Sequence, residues 1–128
     1  MKVLIVQSRD DVTMIKFILR VENAVILISS IYWYSFCQFN WLVFAVLLLA
    51  PDIFMLGYFV DKTLGAHIYN IGHTYVLPVI LLVCGLHSAQ QTFMMIATIW
   101  IAHISLDRTL GFGLKYRSDF KDNHMQNV

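Results

Sequence analysis

Four long apolar runs, separated by short polar breaks, are the feature that most limits how this chain can fold. They span residues 17–36, 41–60, 66–86 and 92–110. Each run has roughly the 20 residues that a helix needs to cross the hydrocarbon core of a bilayer. Hydrophobic residues make up 59% of the chain and charged residues 13%, a balance that ordinary soluble domains do not show. The sequence therefore predicts an integral membrane protein.

The runs are uniformly apolar and do not alternate with polar residues, which favours helices over a β-barrel. We expect an all-α, polytopic membrane protein whose four transmembrane helices form an up-down bundle, because short turns make consecutive helices antiparallel. Residues 1–16 are expected to form a cytosolic tail, 17–110 the transmembrane domain and 111–128 a second cytosolic tail. Asn40 is the expected N-cap of the second helix. Helices this short also allow association into a homo-oligomer.

The nine Lys and Arg residues are distributed unevenly along the chain. All of them fall near the N-terminus, in the turn around Asp61 or near the C-terminus, and the other two turns carry none. Basic residues accumulate on the cytoplasmic side of membrane proteins, so this pattern places both termini and the Asp61 turn in the cytoplasm. The formal net charge is only +1, and no basic stripe is present, so a nucleic-acid partner is not expected.

Several ionisable or polar residues lie inside the apolar runs, where each needs a partner or a function. Counted from the cytoplasmic helix ends at ~1.5 Å per residue, four of them reach similar depths of roughly 8 to 12 Å. Residues three or four apart share a helix face, which adds a neighbour to each histidine. We therefore expect one polar cluster inside the bundle, formed by Glu22, Asp52, Asn70, His73, His103 and Asp107.

Pro51 stands directly before the deepest of these carboxylates, Asp52. Proline has no backbone N–H, so it leaves a carbonyl one turn earlier without its helical donor. The second helix is therefore expected to open close to Asp52, with the released carbonyl as an additional oxygen ligand.

Two imidazoles and several carboxylates form a donor set that suits a divalent metal such as zinc, manganese or iron. Such an ion makes water a usable nucleophile near neutral pH, and a carboxylate beside it can act as general base. The leading hypothesis is a site at the cytoplasmic leaflet that hydrolyses a lipid amide or ester. Its candidate metal ligands are His73, His103, Asp107 and Asp52. Its candidate catalytic residues are Asp52, Glu22 and Asn70.

Two other functions use the same residues differently. In a b-type haem or quinone redox subunit, His73 and His103 would be axial ligands, with space provided by the small neighbours Gly72 and Ala102, but the carboxylates would have no role. In a non-enzymatic membrane subunit or small transporter, the cluster would relay protons or specify packing. Glu22 also has a simpler interpretation, in which it extends to the membrane interface together with Arg20.

The order of these polar motifs resembles a bacterial membrane family known as domain of unknown function 4260. The matching motifs are Leu19-Arg20-Val21-Glu22, Ala50-Pro51-Asp52, Gly57-Tyr58, Tyr69-Asn70, His73-Thr74-Tyr75, His103, Asp107-Arg108, Gly111-Phe112-Gly113-Leu114-Lys115-Tyr116, Phe120-Lys121-Asp122 and His124. Asn123 stands where the family usually has threonine, and residues 1–16 look like an addition.

The resemblance implies a small four-helix protein of the bacterial inner membrane, and it implies no activity. The polar cluster is also similar to those of membrane metal-dependent hydrolases of the ceramidase-like kind, which gather His, Asp and Ser on several helices. His124, in the C-terminal tail, is a further residue that could fold back towards the cluster.

Overall fold

The computed structural model describes residues 9–114, apart from the side chains of residues 53–55, 57 and 58. Within this range the chain forms six helical segments and no strand, which confirms the predicted all-α class. The segments are α1 (Arg9–Phe36), α2 (Trp41–Leu47), a 3-10 helix (Ala50–Phe59), α3 (Lys62–Gly72), α4 (Val76–Ser88) and α5 (Gln91–Thr109).

The first and last apolar runs form continuous helices. Helix α5 begins and ends within one residue of the predicted bounds. Helix α1 begins at Arg9, well before Phe17, so part of the expected N-terminal tail belongs to the helix. Asp10 and Asp11 lie in its first turn, where their negative charge complements the positive end of the helix dipole. These charges favour helix in this part of the expected tail.

The second and third runs are both interrupted; the sequence predicted an opening in the second run, close to Asp52, and a continuous helix for the third. The second changes from α-helix to 3-10 helix around Pro51, where the Asp52 N–H donates to the Leu49 carbonyl at 3.1 Å. The third is interrupted at residues 73–75, between α3 and α4. Pro78 lies in the first turn of α4, where a missing N–H is tolerated because it would have no helical acceptor.

Helix α5 lies at the centre of the bundle, with α1 and α4 packed along it, while α3 packs against the 3-10 helix. The α4–α5 turn is tight because Ala89 adopts a left-handed conformation with φ 53°. At Gly85 an added Cβ would lie only 3.0 Å from the Met94 backbone nitrogen. Glycine at this position therefore permits the close approach of α4 and α5.

An aromatic group closes the turn between α1 and α2. Tyr34 is fully buried, and its hydroxyl donates to the Asn40 carbonyl. Its ring packs edge-on against Phe39 and Phe44. The Asn40 side chain accepts from the N–H groups of Leu42 and Val43, so the predicted N-cap is confirmed.

Burial along α1 is the reverse of that in a water-soluble bundle. The buried residues of α1 are the polar Asn23 and Ser30 together with Tyr34. Large apolar side chains of the same helix are exposed, among them Ile28 at 67% and Phe36 at 69%. Hence two uncharged polar side chains of this helix face the bundle, while many of its large apolar side chains face outward.

Candidate metal centre

Two histidines and two aspartates from three parts of the chain meet inside the bundle. Asp52 comes from the 3-10 helix, His73 follows the last residue of α3, and His103 and Asp107 lie one turn apart on α5. One ligand atom from each of the four side chains lies within 4.8 Å of all the others. These are the four residues that the sequence analysis named as metal ligands.

The spacing of these four atoms suits a small cation. The Nε2 atoms of His73 and His103 are 3.1 Å apart. Asp52 Oδ1 lies 3.4 and 3.3 Å from these two nitrogens, and Asp107 Oδ2 lies 3.7 and 3.2 Å from them, in the same order. Ligand atoms held tetrahedrally at roughly 2.0 to 2.2 Å from a zinc ion are about 3.3 to 3.6 Å apart. The five separations around the two imidazole nitrogens are close to these values, so the four groups could hold a metal ion.

Pro51 explains how His103 is oriented. In a continuous α-helix the Leu48 carbonyl would accept from the Asp52 N–H, but that N–H donates to Leu49 instead. The Leu48 carbonyl is thereby released, and it accepts a hydrogen bond from His103 Nδ1. The sequence analysis expected the carbonyl one α-helical turn before Pro51, which is that of Leu47, as a metal ligand, but the carbonyl that contacts the cluster is the next one, that of Leu48. The structure shows that the carbonyl holds a histidine.

His73 is held in the same manner by the end of α3. Its Nδ1 donates to the Tyr69 carbonyl at 3.0 Å. The Tyr69 ring stacks on the imidazole with centroids 3.8 Å apart and planes 7° apart. Both the direction of the Nε2 atom and the plane of the ring are thus determined by the last turn of α3.

These two hydrogen bonds determine the electrostatics of the cluster. A carbonyl oxygen only accepts, so the Nδ1 atom of each histidine must carry the proton, and a neutral imidazole then presents a lone pair at Nε2. Two lone pairs face each other across 3.1 Å, with carboxylate oxygens on both sides. Four acceptors without a donor repel one another in a medium of low dielectric constant. The cluster therefore needs a cation, either a divalent metal or added protons.

Access to the cluster is one-sided. The side chains of His73 and His103 are 3% and 2% exposed, whereas those of Asp107 and Asp52 are 23% and 40% exposed. The imidazoles form the closed wall of the site, and the carboxylates, Asp52 above all, form its open side.

Two further side chains of α5 contact the interruption that carries His73. The indole N–H of Trp100 donates to the Gly72 carbonyl at 2.6 Å, and Arg108 Nη2 donates to the His73 carbonyl at 3.4 Å. Both carbonyls lack helical donors because α3 ends there. The sequence analysis assigned neither of these roles. The only available signal was their position on α5, within about a turn and a half of His103.

A hydrogen-bond chain continues from this interruption to α1. The Arg108 guanidinium lies 4.7 Å above the Tyr75 ring, a cation–π distance. The Tyr75 hydroxyl donates to Asn23 Oδ1 at 2.6 Å. Asn23 Nδ2 in turn donates to the Leu19 carbonyl. Through this chain α1, which supplies no group to the four-residue cluster, is connected to the backbone next to His73.

Glu22, Asn70 and His124 complete the sequence-based candidates. Glu22 is exposed, in a groove on the outer face of α1, and so lies apart from the cluster that it was expected to join. Successive helical residues are about 100° apart, and the buried Asn23 occupies the inward direction. Asn70 is half-buried on α3, and its carbonyl accepts from the His73 N–H at 3.3 Å. His124 lies outside the described residues.

Comparison with known proteins identifies a family. A family model described as Domain of unknown function (DUF4260) matches residues 16–128, which is most of the chain and includes the whole cluster. No curated protein and no solved structure matches the chain. The extent of the family match shows that the chain belongs to the DUF4260 family.

Proposed function

We propose that this chain is a polytopic membrane protein that binds one divalent metal ion and hydrolyses an amide or ester bond of a lipid. His73, His103 and Asp107 are the metal ligands in this proposal. Asp52, on the open side, completes the coordination or acts as general base. The observation that carries the proposal is the pair of facing Nε2 atoms, 3.1 Å apart, with both Nδ1 atoms bonded to carbonyls.

Membrane insertion is supported by two features. The stretch Lys62–Ser88 is 27 residues long and contains an 18-residue window with a mean hydropathy of 1.5, enough to cross a membrane by length and composition. It joins α3 and α4 across the interruption at residues 73–75 and is the one stretch of the described residues that meets this test. The inverted burial of α1 supports a second span, because exposed apolar and buried polar side chains suit a lipid environment. The remaining spans and the lipid partner belong to the proposal.

The distribution of basic residues supports an orientation with both termini in the cytoplasm, and a location in the bacterial inner membrane is part of the proposal. In this topology Asp61, which caps α3 by accepting from the Leu64 N–H, lies in a cytoplasmic turn. The cluster would then lie nearer to the cytoplasmic leaflet and open towards it.

The chemistry follows from the donor set. A divalent ion between two imidazoles and a carboxylate polarises a carbonyl group and lowers the pKa of water. Asp52, the most exposed member, is placed to take the proton from the attacking water. The water oxygen would bond to the carbonyl carbon, the C–N or C–O bond would break, and the departing amine or alcohol would receive the proton. One water is consumed, and a carboxylic acid is released.

The geometry favours a compact metal ion over haem. Axial histidines on opposite faces of a haem leave the space around the iron to the porphyrin ring. In this cluster two carboxylate oxygens lie within 3.7 Å of the imidazole nitrogens, where the porphyrin would have to be. A proton relay in a non-enzymatic subunit would use the same four groups with protons in place of the metal, and metal analysis distinguishes the two.

The test is elemental analysis and a visible absorption spectrum of the full chain, purified in mild detergent without a His-tag or chelator. We expect about one equivalent of zinc, manganese or non-haem iron in the wild type and less than a tenth of this in His73→Ala. His67→Ala is the matched control, since His67 is exposed on α3, the helix that ends just before His73, and it should retain the metal.

Equal metal content in the wild type and in His73→Ala would contradict the metal site, and a Soret band lost in that variant would favour haem. If metal is bound, release of fatty acid from ester and amide lipids is measured next by mass spectrometry. Asp52→Asn should lower this rate by about 100-fold or more, the range typical of a lost general base. Metal binding without release of fatty acid from any of these lipids would contradict the hydrolase.

A further inference from the structure

An apolar pocket of about 310 Å³ lies beside the cluster, between the second apolar run and α5. It is lined by Leu47, Ala50, Pro51, Ile96, Ile99 and Trp100. The only polar side-chain atom in this wall is the indole nitrogen of Trp100, and its N–H donates to the Gly72 carbonyl. The lining side chains therefore suit an occupant without hydrogen-bonding groups. For scale, a dry apolar cavity of roughly 150 Å³ is large enough for benzene.

The pocket and the cluster share their structural elements. Pro51 of the pocket wall directly precedes Asp52 of the cluster. On α5, Ile96, Trp100 and His103 follow one another at spacings of four and three residues and so lie along one helix face. From Ile96 to His103 the distance along the helix axis is about 10 Å. An apolar chain in the pocket would therefore have one end next to the cluster.

A second apolar groove differs from this pocket in its position relative to the cluster. It is larger, at about 500 Å³, but its lining residues all belong to the outer face of α1. A groove on one helix that supplies no member of the cluster is part of the outer surface of the bundle. The pocket beside α5, in contrast, has walls from α2, the 3-10 helix and α5, and the last two carry members of the cluster.

We infer that the pocket beside α5 binds the acyl chain of the substrate and thereby holds the carbonyl end of that chain at the four-residue cluster. This inference rests on the proposed function and narrows its substrate class to amides or esters of a long fatty acid. The walls of the pocket then determine which chain lengths reach the cluster.

The test uses photolabelling of the full chain in detergent. The probe is a dodecanoyl amide with a diazirine in the middle of its chain, and labelled peptides are identified by mass spectrometry. Ile96→Trp fills the pocket from α5, seven residues from His103. Ile80→Trp is the matched control, because Ile80 is exposed on α4 and is not among the lining residues.

We expect saturable labelling of the lining residues, competed by unlabelled dodecanoyl amide, that falls at least about five-fold in Ile96→Trp and stays unchanged in Ile80→Trp. Metal content is measured on the same samples. Labelling spread evenly over the exposed helix faces and equal in both variants would overturn the inference, even if the metal is present. Saturable labelling of the pocket in a protein without metal would support a chain-binding pocket while the proposed hydrolase fails.

Discussion

Helix α5 and the two interrupted apolar runs contribute to the cluster in different ways. Helix α5 is continuous for 19 residues and supplies side chains only, because its interior carbonyls are occupied by helical hydrogen bonds. The interrupted runs supply both side chains and released backbone carbonyls. The Leu48 carbonyl accepts from His103, and the Gly72 and His73 carbonyls accept from Trp100 and Arg108.

This difference explains why the cluster is located where two helices are interrupted. A backbone carbonyl that is released inside a packed bundle needs another donor. Here α5 supplies the donors, and one of them is the imidazole of His103. The same hydrogen bonds that compensate for the interruptions therefore also orient a candidate metal ligand, so that stability and site geometry depend on the same contacts.

The largest effect should come from Arg108, which contacts the interruption next to His73. Arg108→Met removes the donor to the His73 carbonyl and the cation above Tyr75, so the backbone that carries His73 loses two restraints. We expect metal affinity, measured by chelator competition, to fall by about 10- to 100-fold, as for other residues that orient a ligand. Arg108→Lys should recover part of this loss because lysine keeps a cationic donor.

An increase in affinity for Arg108→Met would contradict this positioning role. It would mean that the positive charge of Arg108 acts on the metal mainly by repulsion, which a methionine relieves.

A smaller effect is expected when the first interruption is changed towards a continuous helix. Pro51→Ala restores a backbone N–H, so an α-helical path becomes available in which the Asp52 N–H competes with His103 for the Leu48 carbonyl. We expect metal affinity to fall by about 10-fold, at the lower end for such residues. Chelator competition measures this change.

Pro78→Ala is the matched control for this variant. Both prolines are buried, but Pro78 lies in the first turn of α4, where its missing N–H has no helical acceptor. Equal losses in the two variants would indicate general destabilisation and would contradict a specific role for the Leu48 carbonyl.

The sequence was sufficient to predict the parts of this fold that depend on local pattern. The bounds of α5 followed from an apolar run between polar residues, and Asn40 was recognisable as an N-cap. The i, i+4 spacing of His103 and Asp107 placed both on one helix face. Pro51 indicated the first interruption because a proline lacks a backbone N–H in any tertiary environment and so removes one hydrogen bond from a helix interior.

The rest depends on the rotation of helices about their axes and on tertiary contacts. Residue depth placed Glu22 level with the histidines, but depth does not determine which side of α1 faces α5. The interruption at residues 73–75 contains no proline, although Pro78 follows in the first turn of α4, and two of its backbone carbonyls accept from Trp100 and Arg108, about 30 residues further along the chain. A pattern read along one helix does not contain that contact.

The smallest predicted effect concerns the hydrogen bond between α1 and the second interruption. Tyr75→Phe removes the donor to Asn23 and keeps an aromatic ring below Arg108, so it isolates this one contact. Hydrogen bonds between membrane helices contribute about 0.6 kcal/mol on average. We expect unfolding stability to fall by about this amount and metal affinity to change by less than about three-fold. Thermal unfolding and chelator competition measure the two quantities.

Tyr32→Phe is the control, since Tyr32 is 70% exposed on α1. A ten-fold loss of metal affinity in Tyr75→Phe, with Tyr32→Phe unchanged, would contradict the expected division of roles. It would show that α1 orients His73 through Asn23 and Tyr75, and that a helix without a member in the cluster still determines its geometry. If Tyr75→Phe lowers stability and leaves metal affinity unchanged, the contacts from α5 are sufficient to hold His73 in place for metal binding.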